Sequence, residues 1–127
     1  MITYGVDQTR VRITISVHEH PLTINTAIPL GLIMNELVSN SLKYAFPNGQ
    51  PGNLSVSGDI YENTMSVKVR DDGQGIPASL DWKHAESLGL HLVQMLTRQL
   101  KGTVELSRES GTEFTLTIPL AQRSGVV

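Results

Sequence analysis

The chain of 127 residues contains no cysteine, which excludes disulfide staples and thiolate metal sites and fits a reducing compartment. Long apolar runs are also missing. The N-terminus has no basic segment leading into an apolar stretch, so neither a membrane span nor a signal peptide is expected. No charge of one sign dominates: ten Lys and Arg stand against twelve Asp and Glu, for a net charge of −2. The basic residues are scattered, so the stripe that phosphate-backbone binding demands is absent. These absences predict a soluble, cytoplasmic domain that touches neither nucleic acid nor membrane by itself, whether or not a parent protein carries an anchor. The length suits one domain over 1–127, which buries roughly two-thirds of the surface its unfolded chain exposes. Both ends read as cut: Met1-Ile2 leads straight toward a strand and Arg123 to Val127 trails off, as in a piece excised from a longer protein.

What is present is alternation. Val11, Ile13, Ile15 and Val17 fall on one side of a segment whose other side carries Arg12, Thr14 and Ser16, the period-2 pattern of a half-buried strand. A turn at His18 to Pro21 follows, and Leu22 and Ile24 suggest a second short strand. Leu54, Val56 and Ile60, then Met65, Val67 and Val69, make two strands joined tightly at Glu62-Asn63. Val104 and Leu106, then Phe114, Leu116 and Ile118, make a second hairpin turning at Glu109-Ser110-Gly111. Between the hairpins, Leu88 to Leu100 reads as a helix with a core stripe of Leu88, Leu92, Val93, Leu96 and Leu100, closed by Lys101-Gly102.

The stretch Pro29 to Phe46, PLGLIMNELVSNSLKYAF, reads as a helix opened by a proline tolerated in its first turn and stopped at Pro47-Asn48-Gly49. Leu30, Met34, Leu37, Val38, Ser41 and Ala45 share a broad face suited to packing on a sheet. Glu36, Asn40 and Lys43 share another arc of roughly 60° that adjoins this face instead of opposing it. For three polar residues alone, a solvated helix face is the ordinary reading.

Three further places carry the same kind of mismatch. Counting in steps of two from Met65 puts Asp71 on the inward face, just as the strand stops at Asp72-Gly73-Gln74-Gly75-Ile76-Pro77. A carboxylate buried there without a partner costs several kcal/mol, about the desolvation of one unpaired polar group, so a donor in the protein or in a ligand is required. Thr112 has the parity of Phe114, Leu116 and Ile118 and also points inward. Glu86-Ser87-Leu88-Gly89 opens the second long helix with free backbone N–H groups and a small residue that together can receive an anion. Taken singly, each has a plain explanation: a glycine-rich turn, a threonine bonded to a carbonyl, a serine N-cap.

Taken together and in order, NELVSNSLKYAF, VRDDGQGIP, SLGLHLV and GTEFTLTIP resemble the ATP-binding catalytic domain of sensor histidine kinases. These belong to the superfamily shared with DNA gyrase, the Hsp90 chaperones and MutL, and the likeness is greatest to the kinase subfamily with a short nucleotide lid. It covers about residues 11 to 120. The resemblance implies a two-layer α/β sandwich of the Bergerat type, a mixed sheet covered by helices on one face, with ATP and Mg²⁺ as cofactors. By position, Asn40 is expected to ligate Mg²⁺ and Lys43 to meet the phosphates; Asp71 is expected to accept a hydrogen bond from the adenine amino group, with Thr112 assisting. Gly73, Gly75 and Ile76 are expected to pass close to the nucleotide, and Ser87, Leu88, Gly89 and Leu90 to meet the phosphates at the helix start. An amide oxygen suits a hard cation, and an ammonium offsets phosphate charge.

The implied function is transfer of the γ-phosphoryl to a histidine on a separate dimerisation domain of the same kinase, and onward to the receiver domain of a response regulator. None of His18, His20, His84 and His91 reads as that acceptor, since none sits in a helical hairpin that could dimerise. Two departures stand out. Glu36 occupies a place where many histidine kinases carry a second asparagine and where the gyrase and Hsp90 branch carries its water-activating glutamate; with kinase-like motifs on either side, holding Lys43 or steering the metal from behind its ligands is expected of it more than hydrolysis. Ser87 replaces a commoner glycine, and the 77–86 lid has no phenylalanine-rich box. An ATP-hydrolysing clamp with Glu36 as base is therefore an alternative, as is a serine kinase of the anti-sigma type or a nucleotide-sensing module.

Overall fold

In the computed structural model, residues 11–17, 20–44, 46, 50–73, 88–109 and 111–120 are described. Five strands form one sheet: β1 (Val11–Val17), β2 (Gly52–Tyr61), β3 (Thr64–Asp71), β4 (Thr103–Ser107) and β5 (Thr112–Pro119). Their spatial order is β1-β2-β3-β5-β4. The sheet is mixed, because β1 runs parallel to β2 while every other neighbouring pair is antiparallel. Parallel neighbours need a crossover, and α1 (Ile24–Tyr44) supplies it between β1 and β2. The second helix, α2 (Leu88–Gln99), packs on α1 and reaches β4. This is the expected α/β sandwich.

Period-2 alternation explains the layering. Ile13, Leu54, Val56, Met65, Val67, Val69, Val104, Phe114, Leu116 and Ile118 are all buried, and Ile33, Leu37, Leu90 and Val93 of the helices close over them. The other face carries polar residues such as Lys68, Arg70 and Thr115, with Arg70 and Glu113 paired across strands at 3.7 Å. An exposed pair of that length contributes little, so burial on the helix side holds the layers together.

Turn chemistry fixes the register. Glu62 and Asn63 both have positive φ, 49° and 61°, the two-residue turn whose twist matches antiparallel strands. It pairs Tyr61 with Thr64 and, counting outward, Leu54 with Asp71. Gly111, with φ of 110°, closes the second hairpin. A Cβ there would strike the Asp71 carbonyl oxygen, so this glycine is needed for both its backbone angle and its closeness to β3.

Four expectations are corrected. Leu22 and Ile24 form no strand: the helix starts at Ile24, and Thr23 accepts from the N–H groups of Thr26 (3.0 Å) and Ala27 (2.8 Å) as its cap. Pro29 therefore lies inside the helix, not in its first turn; the missing N–H leaves the Asn25 carbonyl without its intrahelical donor. Ile33 is wholly buried although the expected apolar face omitted it, and Val17 is 61% exposed although its parity matches Ile13. Val17 sits at the end of an edge strand opposite Gly58, with no side chain across from it to pack against. The helix stop at Lys101-Gly102 is as expected, with Lys101 the left-handed residue, φ 59°. Gly102 donates to Thr97 (3.0 Å) and Lys101 to Arg98 (2.9 Å), a helix stop in which the glycine provides room against the Thr117 carbonyl.

The Glu62-Asn63 turn gives a direct test. Glutamate is poorly suited to positive φ, whereas asparagine tolerates it. Glu62→Asn is expected to raise the stability of the chain by about 0.5 kcal/mol, a gain of the size typical for turn chemistry. Urea unfolding should show a higher midpoint with an unchanged slope.

Candidate nucleotide site

The site begins where β3 ends. Asp71 and Thr112 are directly opposed across β3 and β5, and each is only 2% exposed. With Ile13 and Leu54 they complete one row across the end of the sheet, so two polar groups stand where the rows behind them are apolar. The Gly73 N–H donates to Asp71 Oδ1 at 3.1 Å. The Ser41 hydroxyl of α1 and the Thr112 backbone N–H donate to the same carboxylate. Burial nevertheless dominates and raises the Asp71 pKa from its ordinary value, Asp72 adds to the rise, and the three donors only partly offset it.

The neighbouring aspartate behaves in the opposite way. Asp72 Oδ1 accepts from the Asn53 N–H at 2.7 Å, Asp72 Oδ2 accepts from Asn53 Nδ2 at 2.9 Å, and the Asp72 N–H returns a bond to the Asn53 carbonyl at 3.1 Å. The Asn53 backbone bond is the main reason that the Asp72 carboxyl titrates below its ordinary value. This ring of bonds ties the start of β2 to the segment leaving β3. Gly52 adjoins it so closely that a Cβ would strike the Phe46 ring and lie 2.8 Å from Asp72 Oδ1. Two consecutive aspartates thus have separate tasks: Asp72 fastens the backbone, and Asp71 faces the interior.

The helices supply the second half. A Cβ on Gly89, in the first turn of α2, would collide with Glu36 Oε2 and come within 3.8 Å of Asn40 Nδ2. Glu36 and Asn40 therefore lie over the start of α2, as their shared arc on α1 requires. Asn40 Nδ2 is buried and, among the described residues, has no hydrogen-bond partner. Since Asn40 and Ser41 are consecutive, a single turn of α1 touches both Gly89 and Asp71. Lys43 is exposed on the last turn of the same helix.

Of the residues singled out in the sequence, the structure gathers Asp71, Gly73 and Thr112 at the strand ends and Glu36, Asn40 and Gly89 at the helix contact. Leu90 is a core residue by its side chain, so a ligand could meet it only through its backbone. Gly75, Ile76, Ser87, the side chain of Leu88, the 77–86 lid, His18 and His84 lie outside the described residues. His20 and His91 are exposed. Reading by parity missed two participants. Periodicity puts Ser41 on the apolar face of α1; it is on that face, buried, and meets Asp71 there. Asn53 was detectable by counting outward from the hairpin turn, which sets it opposite Asp72.

The donor set suits Mg-ATP. A buried carboxylate takes a donor such as an exocyclic amino group, and the orphan Asn40 N–H takes an acceptor such as a phosphate oxygen. The Asn40 carbonyl oxygen is of the hard type that Mg²⁺ accepts alongside phosphates and water. No group of three or more His, Cys, Asp or Glu that could hold a metal ion by itself occurs among the described residues. No helix among these residues is long and apolar enough to cross a membrane.

Comparison with known proteins covers the same part of the chain. The family described as histidine kinase-, DNA gyrase B-, and HSP90-like ATPase matches residues 25–122. Blue-light-activated histidine kinase 2 of Erythrobacter litoralis is 27% identical over 119 residues, covering 92% of this chain and 34% of that protein. Sensor histidine kinase PdtaS of Mycobacterium tuberculosis is 31% identical over 106 residues, covering 80% of this chain and 21% of that protein. Among solved structures, the histidine kinase domain of the Erythrobacter litoralis EL346 blue-light activated histidine kinase superposes with a TM-score of 0.83 at 28% identity, over 89% of this chain and 53% of that one. The chain thus spans about a third or less of the two full-length relatives.

The raised Asp71 pKa fixes the sign of a pH effect. Between the ordinary carboxyl value, about 3.9, and the raised one, the folded chain holds a proton that the unfolded chain releases, so stability falls as pH rises through that window. Above that window the buried charge is a standing liability. Asparagine keeps an acceptor for the Gly73 N–H, and the Ser41 hydroxyl can turn to accept from its amide. Asp71→Asn is therefore expected to melt at the same or a higher temperature than the parent at pH 7, without ligand, with the difference narrowing toward pH 4. A variant that melts lower at pH 7 by calorimetry would contradict this assignment.

Proposed function

The chain belongs to the histidine kinase-, DNA gyrase B- and HSP90-like ATPase family, and we propose that it is the Mg-ATP-binding catalytic domain of a sensor histidine kinase. The observation that carries this reading is Asp71: a carboxylate 2% exposed, held by backbone and hydroxyl donors, at a strand end beside two glycines. Such a group selects a ligand that brings an N–H. Adenine offers its amino group; guanine presents a carbonyl oxygen at the corresponding place, and two acceptors facing each other leave both unsatisfied.

The other roles follow from the elements that carry them. Asn40 holds Mg²⁺ through its carbonyl oxygen and gives its amide N–H to phosphate. Bound Mg²⁺ would neutralise charge that builds up on the phosphates. Lys43 adds an ammonium from the end of α1, and the N–H groups at the start of α2 face the same anion. Gly73 keeps Asp71 aimed by its own N–H, and Thr112 fixes it from across the sheet. Phosphoryl transfer needs position and charge stabilisation more than covalent help from the protein. The ring nitrogen of an incoming histidine would form the new N–P bond as the bond from the γ-phosphorus to its bridging oxygen breaks, and ADP leaves with that oxygen. The acceptor histidine would belong to a dimerisation domain elsewhere in the parent protein, and a receiver domain would take the phosphoryl next. His20 and His91 are exposed single side chains outside any hairpin of helices, which supports placing the acceptor elsewhere.

Titration calorimetry tests this directly. Mg-ATP is expected to bind and Mg-GTP to bind at least tenfold more weakly, because an unsatisfied buried acceptor forfeits about 1.5–3 kcal/mol. Asp71→Asn should weaken Mg-ATP by a similar factor. Asn40→Asp puts a second carboxylate beside Glu36 and removes the N–H, so it should weaken Mg-ATP by tenfold or more. Equal affinity for the two nucleotides would refute the adenine reading. Incubated with labelled ATP, the isolated chain should bind nucleotide and acquire almost no label; rapid self-labelling would place the acceptor in this domain.

A further inference from the structure

Resting on the reading of this site as one for Mg-ATP, we propose that Glu36 sets the metal requirement of nucleotide binding: it repels bare phosphate from the first turn of α2 and admits phosphate that carries a divalent cation. The carboxylate of Glu36 stands against Gly89 so closely that no Cβ fits between them. That turn is the positive end of α2, with backbone N–H groups that lack partners within their own helix. A carboxylate there is favourable while the site is empty. It takes the electrostatic place that a phosphate would take.

A triphosphate approaching the same turn then meets a negative charge already seated. Among the described residues, the side chain that joins Glu36 at Gly89 is the Asn40 amide, which is neutral; its buried Nδ2, unpartnered among them, marks where an acceptor is wanted. Lys43 is two turns further along α1 and exposed, where solvent weakens its compensation. A divalent cation travelling with the phosphates reverses the sign of the encounter, since Glu36 then faces net positive charge. Glu36 is in this account a specificity-determining residue that separates metal-bound from metal-free nucleotide, and no proton need pass through it.

The measurement is affinity for ATP with Mg²⁺ and with EDTA, and affinity for adenosine, which has no phosphate. The parent chain should bind Mg-ATP well and ATP in EDTA much more weakly. Glu36→Gln keeps the shape of the side chain and loses its charge. It should tighten ATP in EDTA about tenfold, shrink the ratio between the two conditions by the same factor, and leave adenosine affinity as in the parent. Glu36→Ala should shrink the ratio as well, and Glu36→Asp should restore most of it. An unchanged ratio in both uncharged variants, or equal weakening of ATP in both conditions, would overturn the gate while leaving the nucleotide assignment intact. A parent chain that binds neither adenosine nor ATP would overturn that assignment itself, and the gate with it.

Discussion

A carboxylate enclosed at the end of a central strand is the constraint that the rest of this architecture answers. Asp71 occupies a row whose neighbours on β1 and β2 are Ile13 and Leu54, and an ion in that setting needs several donors to be tolerated. Each arrives from a different element: Gly73 from the segment leaving β3, Ser41 from α1, Thr112 from β5. A one-residue slip of β3 would break the set, because it would turn the Asp71 side chain to the other face of the sheet. The tight turn at Glu62-Asn63, the close approach of Gly111 to β3 and the Asn53–Asp72 ring fix those registers. They lie at the surface, and their effect is felt at the buried acid.

Much of this was legible in the chain itself, because period-2 alternation survives wherever one face of a sheet is buried and the other solvated. The strands, both hairpins and the inward aim of Asp71 and Thr112 could all be read that way. The failures have physical causes as well. Leu22 and Ile24 look like strand residues, but Thr23 caps a helix and Ile24 is its first, 71% exposed residue; no alternation within three residues distinguishes the two. Pro29 suggested a helix start, and the structure tolerates it a turn and a half further in, where packing of Ile33 and Leu37 against the sheet outweighs one missing hydrogen bond. Ser41 was hidden by its own position, since periodicity assigns a face and says nothing of what waits opposite. The link from Asn53 to Asp72 required two steps, the turn type and then the count outward.

The two halves of the candidate site rest on different kinds of element. The end proposed to recognise the base rests on paired strands, where the ladders on both sides of β3 hold the backbone that aims Asp71. The end proposed to meet the phosphates rests on side chains at the contact of two helices, where Glu36 and Asn40 lie against Gly89. A backbone fixed by ladders suits discrimination between bases, which turns on one donor replaced by one acceptor. Side chains with rotamer freedom suit phosphates, whose charge and counter-ion change as a reaction proceeds.

That division also bears on why two costly polar groups persist at this place. Asp71 carries a raised pKa in spite of its donors, and Asn40 carries an amide N–H without a partner among the described residues; each lowers the stability of the empty domain, and each would be relieved by a ligand with the complementary atom. A molecule that binds only the folded state adds stability in proportion to the logarithm of its concentration over its dissociation constant. On the proposed reading, that cost in the empty state would be returned on binding, and the polar residues that sequence logic finds in an apolar row would be where the exchange takes place.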